Sequence, residues 1–454
     1  MQTNSIENDG PIAGTRPDNA LRVIRRFVPT EGFDVVIDLK QSRGLWIQDA
    51  RDGKRYLDFF SFVTSHALGM NHPAFQDPAF REKLHYAACN KVSNSDIYTL
   101  ELAEFVETFA RIARPEFMPH LFFIDGGTLG VENSLKAAFD WKVRRNFSLG
   151  ERAEKGHQVI HFRQAFHGRS GYCLSLTNTI DLAKTQYYPK FSWPRIDNPK
   201  IRFPLTPDNL REVRRAEEES CRQIEQAFAE HSNDIAAILI EPIQGEGGDN
   251  HFRQEFFHHL RRFADERQVM LIFDEVQTGL GMTGKMWGYE HTGVIPDMIV
   301  FGKKTLVCGF MCSSRIDQVP GNVFAAGSRI SSTWGGNLAD MVRSQRILEV
   351  IEKDRLVENA EKMGRYMFDR LCALAEDYPP LISNCRAAGL MQAFDLPDPN
   401  TRKRFLETVF SLGLLLLPCG YSAVRFRPPL VVSEEEIDRA FTHIRQALRA
   451  AGTG

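Results

Sequence analysis

The amino-acid sequence predicts an α/β protein with a large doubly wound, mixed-sheet domain and a smaller α+β domain from the N- and C-terminal segments. A chain of 454 residues exceeds the size of one hydrophobic core, so two or three domains of roughly 100 to 200 residues are expected. Its 43% hydrophobic content is typical of a globular protein. Short apolar runs alternate with longer amphipathic runs through the middle of the chain, which is the pattern of parallel crossover units.

Residues 71–330 are predicted to form the large domain. The runs that favour strands are 120–125, 157–162, 234–243, 269–276 and 297–304. Amphipathic runs at 131–145 and 255–268 favour helices between them. Because parallel strands need a crossover connection, this alternation predicts that the strands share one sheet with helices on its faces.

Residues 1–70 are predicted to form an N-terminal arm and part of the small domain. Residues 1 to about 18 are rich in Asn, Gly and Pro, which favours a disordered or loosely docked arm. The first ordered element is expected near Leu21. A turn at Asp52-Gly53 between two apolar runs indicates a hairpin.

Residues 331–454 are predicted to complete the small domain. A helical stretch covers 338–378, and strand-like runs follow at 390–396 and 422–430. The last helix begins after Ser433, whose Ser-Glu-Glu-Glu sequence is typical of a capped helix start.

The charge balance and the cysteines exclude several classes of protein. Lys and Arg number 56 against 58 Asp and Glu, for a formal charge of -2, which gives no basic surface for nucleic acid or an anionic membrane. No apolar run approaches the ~20 residues of a membrane span. The eight cysteines are scattered, and the close pair Cys308 and Cys312 lacks a second pair for a zinc site. We expect reduced thiols, a cytoplasmic location, and partners that are small molecules or copies of this chain; the polar, acidic start of the sequence does not resemble a signal peptide.

Two carboxylates end the apolar run 269–276. Successive strand side chains point to opposite faces, so Asp274 and Glu275 cannot both face one ligand. Ligands in open α/β sheets bind beyond the carboxyl ends of strands, which is where Asp274 is predicted to lie. Taken alone, an aspartate at this place is more often a helix cap or a loop-bonding group.

Two lysines end the next strand-like run. Lys303 and Lys304 are adjacent, so only one can point into a site. A lysine there is usually solvated, but a buried lysine has a lowered pKa, and its free amine forms Schiff bases with aldehydes. An amine beside a carboxylate is what pyridoxal 5′-phosphate (PLP) requires. The amine bonds the aldehyde carbon, and the carboxylate keeps the pyridine nitrogen protonated.

Two further segments supply the other contacts that PLP needs. Gly126-Gly127-Thr128 lies between a predicted strand and a predicted helix, where backbone N–H groups bind phosphate. Phe166 could stack on the pyridine ring. Each feature alone has an ordinary interpretation, as a plain turn and as a core aromatic residue.

Seven motifs in this order resemble the class III, or ω-, aminotransferases. They are GGT before VENSLK, AFHGRSG, EPIQGEGG, IFDEVQTG, FGKKT, STWGGN and VRFRPPL. The resemblance extends from about Leu21 to the last helix, and it implies the fold type I of PLP-dependent transferases.

The resemblance also implies roles for cofactor-binding residues. Lys303 would hold PLP as a Schiff base, and Asp274 would pair with its pyridine nitrogen. Gln277 would donate to its phenolic oxygen, and Phe166 would stack on the ring. Gly127 and Thr128 would bind the phosphate together with Thr333 of a neighbouring subunit, which implies a homodimer with shared sites.

Within the family, the likeness is to members that move the ε-amine of L-lysine to 2-oxoglutarate. L-Lysine brings one carboxylate, far from the reacting carbon, whereas 2-oxoglutarate brings two. The resemblance implies Arg169 as the outer carboxylate anchor and Arg425 as the inner one, since a guanidinium holds a carboxylate bidentately. Glu246 matches a residue that pairs with Arg425 and moves aside for 2-oxoglutarate.

Other residues of these motifs have expected roles around the substrate. Ser331 stands where the family pattern has Asn, so a substrate contact by the longer amide would be lost or water-mediated. Glu241 would orient the cofactor pocket, and Asn94 and Ser95 would support the entrance. Without the resemblance, Arg169 would be assigned to a surface salt bridge, and Glu246 with Arg425 to an ion pair at the core edge.

Other functions remain open from the sequence. Ornithine or 4-aminobutyrate could replace L-lysine as the amine, and a PLP-binding protein without turnover belongs to another class. A hydrolase is disfavoured because the chain has no G-x-S-x-G nucleophile turn. With L-lysine as donor, the product 2-aminoadipate 6-semialdehyde would cyclise to 1-piperideine 6-carboxylate, which indicates lysine degradation or supply of 2-aminoadipate.

Overall fold

A computed structural model describes residues 14–379 and 381–451. Residues 1–13 of the predicted arm lie outside the described residues, and residues 14–18 are exposed. No described helix is both long enough and apolar enough to cross a membrane. The helices are α1 (Ala20–Phe27), α2 (Ser61–Thr64, a left-handed turn), α3 (Pro78–Cys89), α4 (Leu100–Ile112), α5 (Gly127–Ser148), α6 (Gly171–Leu176), α7 (Pro207–Glu230), α8 (Gln254–Glu266), α9 (Leu338–Lys353), α10 (Leu356–Asp377), α11 (Pro399–Ser411) and α12 (Glu434–Ala451).

The strands form three sheets. They are β1 (Trp46–Gln48), β2 (Arg55–Asp58), β3 (His120–Ile124), β4 (Gln158–Phe162), β5 (Arg195–Ile196), β6 (Ile235–Ile240), β7 (Met270–Asp274), β8 (Met298–Phe301), β9 (Cys308–Cys312), β10 (Ser383–Ala388), β11 (Met391–Asp395), β12 (Leu414–Leu415), β13 (Leu417–Cys419) and β14 (Ala423–Phe426). The sheet orders are β3-β9-β8-β7-β6-β4-β5, β10-β11-β14-β13 and β1-β2-β12.

The seven-stranded sheet is the large mixed sheet that the sequence predicts. Strands β4 to β8 run parallel, while β9 runs antiparallel to both β8 and β3. All residues of β6, β7, β8 and β9 are buried, as expected for strands covered on both faces. The predicted fold class is confirmed.

The three-stranded sheet joins the two ends of the chain, whereas all four strands of the four-stranded sheet come from the C-terminal part. In the three-stranded sheet, β1 and β2 pair as the predicted hairpin, with Gly53 at φ 77° in its turn, and β12 of the C-terminal part pairs with β2. No strand of the seven-stranded sheet lies outside residues 71–330, although the division at residues 70 and 330 stays a prediction.

Helix starts follow local chemistry. The side chains of Asp77, Thr206 and Asp398 each accept a backbone N–H of the following helix, and each precedes a proline at the first helical position. Both features satisfy or remove N–H groups that lack intrahelical acceptors. Ser433 accepts from the N–H of Glu436 at 3.4 Å and donates its own N–H to that carboxylate at 3.0 Å, as a capping box requires.

The predicted helical stretch 338–378 is two helices. Arg355, between α9 and α10, has a left-handed backbone with φ 52°, and this conformation ends one helix and starts another. The helix α9 packs against α4, which lies far from it in the sequence.

Candidate active site

The strand ends of the seven-stranded sheet bring the predicted carboxylate and lysine to one edge. Strands β7 and β8 are parallel neighbours, with Asp274 paired to Val300 in the register. Asp274 ends β7, and Lys303 follows the end of β8 by two residues. Since the carboxyl ends of parallel strands meet at the same edge, both side chains reach the same space.

A cavity of about 200 Å³ occupies this edge. We call it the cofactor cavity, and it is lined by Gly127, Thr128, Phe166, His167, Gly168, Glu241, Asp274, Val276, Gln277 and Lys303. The cavity therefore brings together every residue that the sequence assigned to PLP in this chain except Thr333.

The two adjacent lysines take different environments. Lys303 lines the cavity, whereas Lys304 is buried and its Nζ donates to the carbonyl of Gln277 at 3.2 Å. Lys303 has a left-handed backbone with φ 56°, a conformation that costs free energy in a non-glycine residue and is typical of functional sites. This turn aims one lysine at the cavity and its neighbour at the core.

The amine of Lys303 is suited to act as a nucleophile. Burial and, to a smaller extent, the nearby cation of Arg425 together lower its pKa to about 8, while the charge of Asp274 opposes the shift. Within the described residues, no hydrogen bond or ion pair holds the ammonium form. About a tenth of the amine is therefore unprotonated at pH 7, a far larger fraction than for an ordinary lysine with a pKa of ~10.4.

Asp274 is held by His167, a residue to which the sequence assigned no role. His167 Nδ1 lies 2.7 Å from Asp274 Oδ2, and the other carboxylate oxygen accepts the N–H of Val276 at 3.1 Å. His167 is itself buried, and its backbone N–H donates to Thr177 Oγ1 at 3.0 Å. The motif AFHG could have indicated this role, because His167 directly follows Phe166, the residue predicted to stack on the pyridine ring.

Glu275, beside Asp274, points away from the cavity. Its carboxylate accepts Thr278 Oγ1 at 2.8 Å and the N–H of Tyr289 at 2.7 Å, and it also accepts the N–H of Gly288. Burial raises its pKa to about 7. The alternation expected for a strand thus separates one carboxylate at the cavity from one in the core.

Glu241 fixes the position of Phe166. One carboxylate oxygen accepts the N–H of Phe166 at 2.9 Å, and the other accepts the N–H of Gly245 at 3.0 Å. Burial raises the pKa of Glu241 to about 7. This side chain joins the AFHG segment to the loop that follows β6.

The glycine-rich turn opens one end of the cavity to a helix N-terminus. Gly126 has φ 91°, and the 22-residue helix α5 begins at Gly127. Its first N–H groups lack intrahelical acceptors and carry partial positive charge. A methyl group on Gly168 would collide with the side chain of Thr128, so the absence of a side chain there keeps this end of the cavity formed.

Arg425 lies buried beside the cavity. Its closest polar contact among the described residues is Gln277 Oε1, 3.5 Å from Nη1, and its Nε has no hydrogen-bond partner. Burial lowers the pKa of this guanidinium. Arg427, two residues on, is instead paired with Asp249 through Nη1–Oδ2 at 2.8 Å and a second contact between Nη2 and Oδ1.

Glu246 does not form the expected pair with Arg425. Its Oε1 lies 2.9 Å from Lys184 Nζ and accepts Thr179 Oγ1 at 2.7 Å. The backbone turn after β6 directs this carboxylate toward residues 179–184, where Lys184 supplies a cation. The motif EPIQGEGG carries no information about Lys184, so the sequence could not reveal this partner.

The remaining predicted substrate and phosphate residues lie outside the lining of the cavity. Arg169, Ser331 and Thr333 are exposed in the single chain. Asn94 and Ser95 support the segment that carries Ser331 and Thr333. Asn94 Nδ2 donates to the carbonyl of Gly336 at 3.0 Å, and Ser95 Oγ donates to that of Ser332 at 2.8 Å.

Comparisons with known proteins extend over nearly the whole chain. The sequence profile of the family Aminotransferase class-III matches residues 28–448. The L-lysine-epsilon aminotransferase of Mycobacterium tuberculosis is 51% identical over 435 residues, which cover 96% of each chain. That of Amycolatopsis lactamdurans is 48% identical over 442 residues, covering 97% of this chain and 98% of the relative.

A solved structure agrees with the sequence relationships. The lysine aminotransferase from M. tuberculosis superimposes with a TM-score of 0.94 at 51% identity, covering 96% of this chain and 100% of that one. The sequence profile, the full-length identity and the cavity at the strand ends agree with one another, and the chain belongs to the class-III aminotransferase family.

Proposed function

We propose that this protein is an L-lysine 6-aminotransferase that moves the ε-amino group of L-lysine to 2-oxoglutarate. The products are 2-aminoadipate 6-semialdehyde and L-glutamate. The observation that carries this proposal is the cofactor cavity, in which Lys303 and Asp274 face one space from the ends of neighbouring strands. The full-length similarity to two L-lysine-epsilon aminotransferases supports the choice of substrate.

The residues of the cavity fit PLP, the cofactor of this family. Lys303 offers an amine that no described residue hydrogen-bonds, free to bond the aldehyde carbon, and Asp274 offers a buried carboxylate for the pyridine nitrogen. The N-terminus of α5 at Gly127 and Thr128 fits the phosphate. Phe166 and Gln277 line the same cavity and would hold the ring face and the phenolic oxygen.

Lys303 is the proposed proton carrier. When bound, PLP supplies an electron sink that stabilises negative charge on the substrate carbon. The amine of Lys303 removes a proton from Cε of L-lysine and returns a proton during the transfer. Its lowered pKa suits both tasks at neutral pH.

Asp274 and His167 are proposed to act as one unit. The Asp274 carboxylate faces the cavity, and the hydrogen bond with His167 Nδ1 keeps that carboxylate oriented. An ionised carboxylate at this position holds a proton on the pyridine nitrogen, which the electron sink requires.

The buried Arg425 is the proposed inner carboxylate anchor, and the exposed Arg169 the outer one. Arg425 has no ion-pair partner in the described part of the chain, so a substrate carboxylate could take both of its terminal nitrogens. Arg169 follows the cavity-lining segment 166–168 and would bind the α-carboxylate of L-lysine or the distal carboxylate of 2-oxoglutarate.

A homodimer is proposed to complete the site. Thr333 is exposed on a segment fixed by Ser95, next to Trp334, and would reach the phosphate of the partner subunit. Large apolar side chains near it are also exposed, including Ile97 (72%) and Tyr98 (76%). Apolar surface of this kind marks an interaction site in soluble proteins.

The chemistry of the product indicates its fate, and the cysteines indicate a location for the enzyme. The semialdehyde carries an amine and an aldehyde, so it would cyclise to 1-piperideine 6-carboxylate and enter lysine degradation or 2-aminoadipate supply. All eight cysteines are free thiols, which is consistent with the reducing cytoplasm that we propose as its location.

One spectroscopic and one kinetic experiment test the function. The PLP-loaded protein should change its absorbance on addition of L-lysine and recover on addition of 2-oxoglutarate, with ping-pong kinetics. Steady-state rates on L-lysine, ornithine and 4-aminobutyrate should rank L-lysine first. A higher rate on ornithine would overturn the substrate assignment alone, and no spectral change with any amine would identify a binding protein without turnover.

A further inference from the structure

Arg425 is a buried cation that forms no ion pair with a carboxylate among the residues that the structure describes. Its side chain is 6% exposed, and its one polar side-chain contact among the described residues is the 3.5 Å approach to Gln277. A buried guanidinium that lacks an ionic partner is unfavourable, so any mobile carboxylate in reach tends to bind it. A substrate carboxylate must compete with such a protein carboxylate.

Glu246 is the protein carboxylate best placed for this competition. Burial dominates the lowered pKa of Arg425, and the charges of Asp249 and, to a smaller extent, Glu246 raise it. Asp249 is already paired with Arg427, which leaves Glu246 as the carboxylate that can move. The carbonyl of Glu246 accepts the N–H of Gly420 at 2.9 Å, and Gly420 lies in the turn before β14, the strand of Arg425. Because the backbone of Glu246 is anchored to that turn, its side chain alone would have to rotate.

In the structure this side chain is held elsewhere. Lys184 Nζ lies 2.9 Å from Glu246 Oε1, and Thr179 Oγ1 donates to the same oxygen at 2.7 Å. The two charged side chains are only 28% and 19% exposed, so water screens their attraction less than at an open surface.

The segment 179–184, which supplies Thr179 and Lys184, is held by its own hydrogen bonds. The N–H of Asp181 donates to Thr179 Oγ1 at 3.2 Å, and the N–H of Lys184 donates to the carbonyl of Asp181 at 3.1 Å. The carboxylate oxygen Oδ2 of Asp181 also lies 3.8 Å from Lys184 Nζ. These contacts hold residues 179–184 in one conformation, in which Lys184 Nζ meets Glu246.

We propose that Lys184, assisted by Thr179, is a positioning residue that retains Glu246 away from Arg425 and thereby sets the affinity for the dicarboxylic keto acid. This inference rests on the proposed function. A ligand with a carboxylate for Arg425 binds only when Glu246 is on Lys184. The apparent affinity of such a ligand is therefore proportional to the fraction of molecules in that state, and it falls when that fraction falls. A ligand without an inner carboxylate, such as L-lysine, is not disfavoured when Glu246 turns to Arg425.

The first test is the variant Lys184→Met with Lys190→Met as its matched control. Lys190 lies in the same segment but donates to the carbonyl of Thr185 at 2.7 Å. In Lys184→Met, the KM for 2-oxoglutarate should rise about 3- to 10-fold, while the KM for L-lysine stays the same or falls. Lys190→Met should match the wild type, Lys184→Arg should restore the KM, and Thr179→Val should raise it by a smaller factor.

A second test uses binding rather than activity. Glutarate has both carboxylates of the keto acid but no reacting carbonyl, and its Kd for the PLP-loaded protein should rise by the same factor in Lys184→Met. In a Glu246→Ala background, Lys184→Met should no longer change that Kd, because the competing carboxylate is gone.

The outcomes separate this inference from the function on which it rests. An unchanged glutarate Kd in Lys184→Met, an equal rise in KM for both substrates, or the same rise in the Glu246→Ala background would overturn the role of Lys184. Failure of the wild type to use L-lysine with 2-oxoglutarate would overturn the proposed function, while the glutarate titration would still report on Lys184.

Discussion

The cofactor cavity and the carboxylate region, which we define as Arg169, Glu246 and Arg425, differ in how their side chains are positioned. The cavity depends on strand register, since Asp274 and Lys303 follow the ends of two paired strands. The carboxylate region draws on a loop after β6, a segment after β4 and a strand of another sheet. Its geometry is decided by side-chain partners such as Lys184.

This difference explains which expectations could be made from the sequence. A strand alternates its side chains by geometry, so a choice between Asp274 and Glu275 follows once the strand is known. A loop carboxylate such as Glu246 instead takes whichever cation is nearest in space. Fixed positions suit bond making, whereas a carboxylate with two possible partners suits a site that must accept two substrates.

The largest expected effect separates the adjacent lysines of the cavity. Lys303→Ala should lower turnover at least about 10⁴-fold, because both the nucleophile and the proton carrier are removed. Lys304→Met should lower it by less than about tenfold, since only a buried hydrogen bond to the Gln277 carbonyl is lost. Steady-state rates check both variants, and borohydride reduction followed by peptide mass measurement should find PLP on residue 303 alone. Label on Lys304, or turnover in Lys303→Ala, would contradict the assignment.

Substitutions of the adjacent carboxylates Asp274 and Glu275 should also differ in their effect on kcat, by a smaller factor than those of the two lysines. Asp274→Asn should lower kcat roughly 10²- to 10³-fold, because the ring nitrogen loses its charged partner and His167 keeps only a neutral amide oxygen as acceptor. Glu275→Gln should retain turnover and lower the free energy of unfolding, as its carboxylate serves Thr278, Gly288 and Tyr289 in the core. Rates and denaturant melts measure the two effects. Equal losses of kcat in both variants would place both side chains at the cofactor.

Two arginines of strand β14 and the residue after it should have different effects when substituted, Arg427 on stability and Arg425 on substrate binding. Arg427→Met should lower the free energy of unfolding by about 3 to 5 kcal/mol, because Asp249 is left buried without its partner. Arg425→Met should leave stability unchanged or higher, since no described ion pair is broken, and raise the KM for 2-oxoglutarate about 10- to 100-fold. Denaturant unfolding and steady-state kinetics test the pair. A large stability loss in Arg425→Met would identify a structural partner for that guanidinium.

The pH dependence of cofactor attachment links the two regions. A protonated amine is not a nucleophile, so PLP attachment to the apoprotein should quicken about tenfold per pH unit up to the Lys303 pKa of about 8 and then level off. Arg425→Met removes a neighbouring cation and should move this midpoint to higher pH. Stopped-flow absorbance measures the rate. A rate that keeps rising toward the pKa of an ordinary lysine would contradict the buried environment.

The sequence predicts local structure well where a short pattern decides it. The Asp52-Gly53 hairpin, the Ser433 cap and the strand ends at Asp274 and Lys303 depend on neighbouring residues, and each is found. The strand β9 was missed, because its five residues sit between β8 and β3 and pair with a strand distant in sequence. His167 and Lys184 were missed for a similar reason, since their partners lie in other segments of the chain.

The smallest expected effect concerns Ser331, where this chain departs from the Asn of the family pattern. Ser331→Asn adds an amide donor and acceptor beside Thr333, on the segment held by Asn94 and Ser95. One hydrogen bond to the α-amino acid end of L-lysine should lower the KM for L-lysine about 2- to 5-fold. The KM for 2-oxoglutarate should not change if the new contact is to the α-amino group, because 2-oxoglutarate has no amino group at its outer end. Competition assays with L-lysine and ornithine would sharpen the result: an equal gain for both amines locates the contact at their shared end, and no gain for either excludes residue 331 from substrate binding.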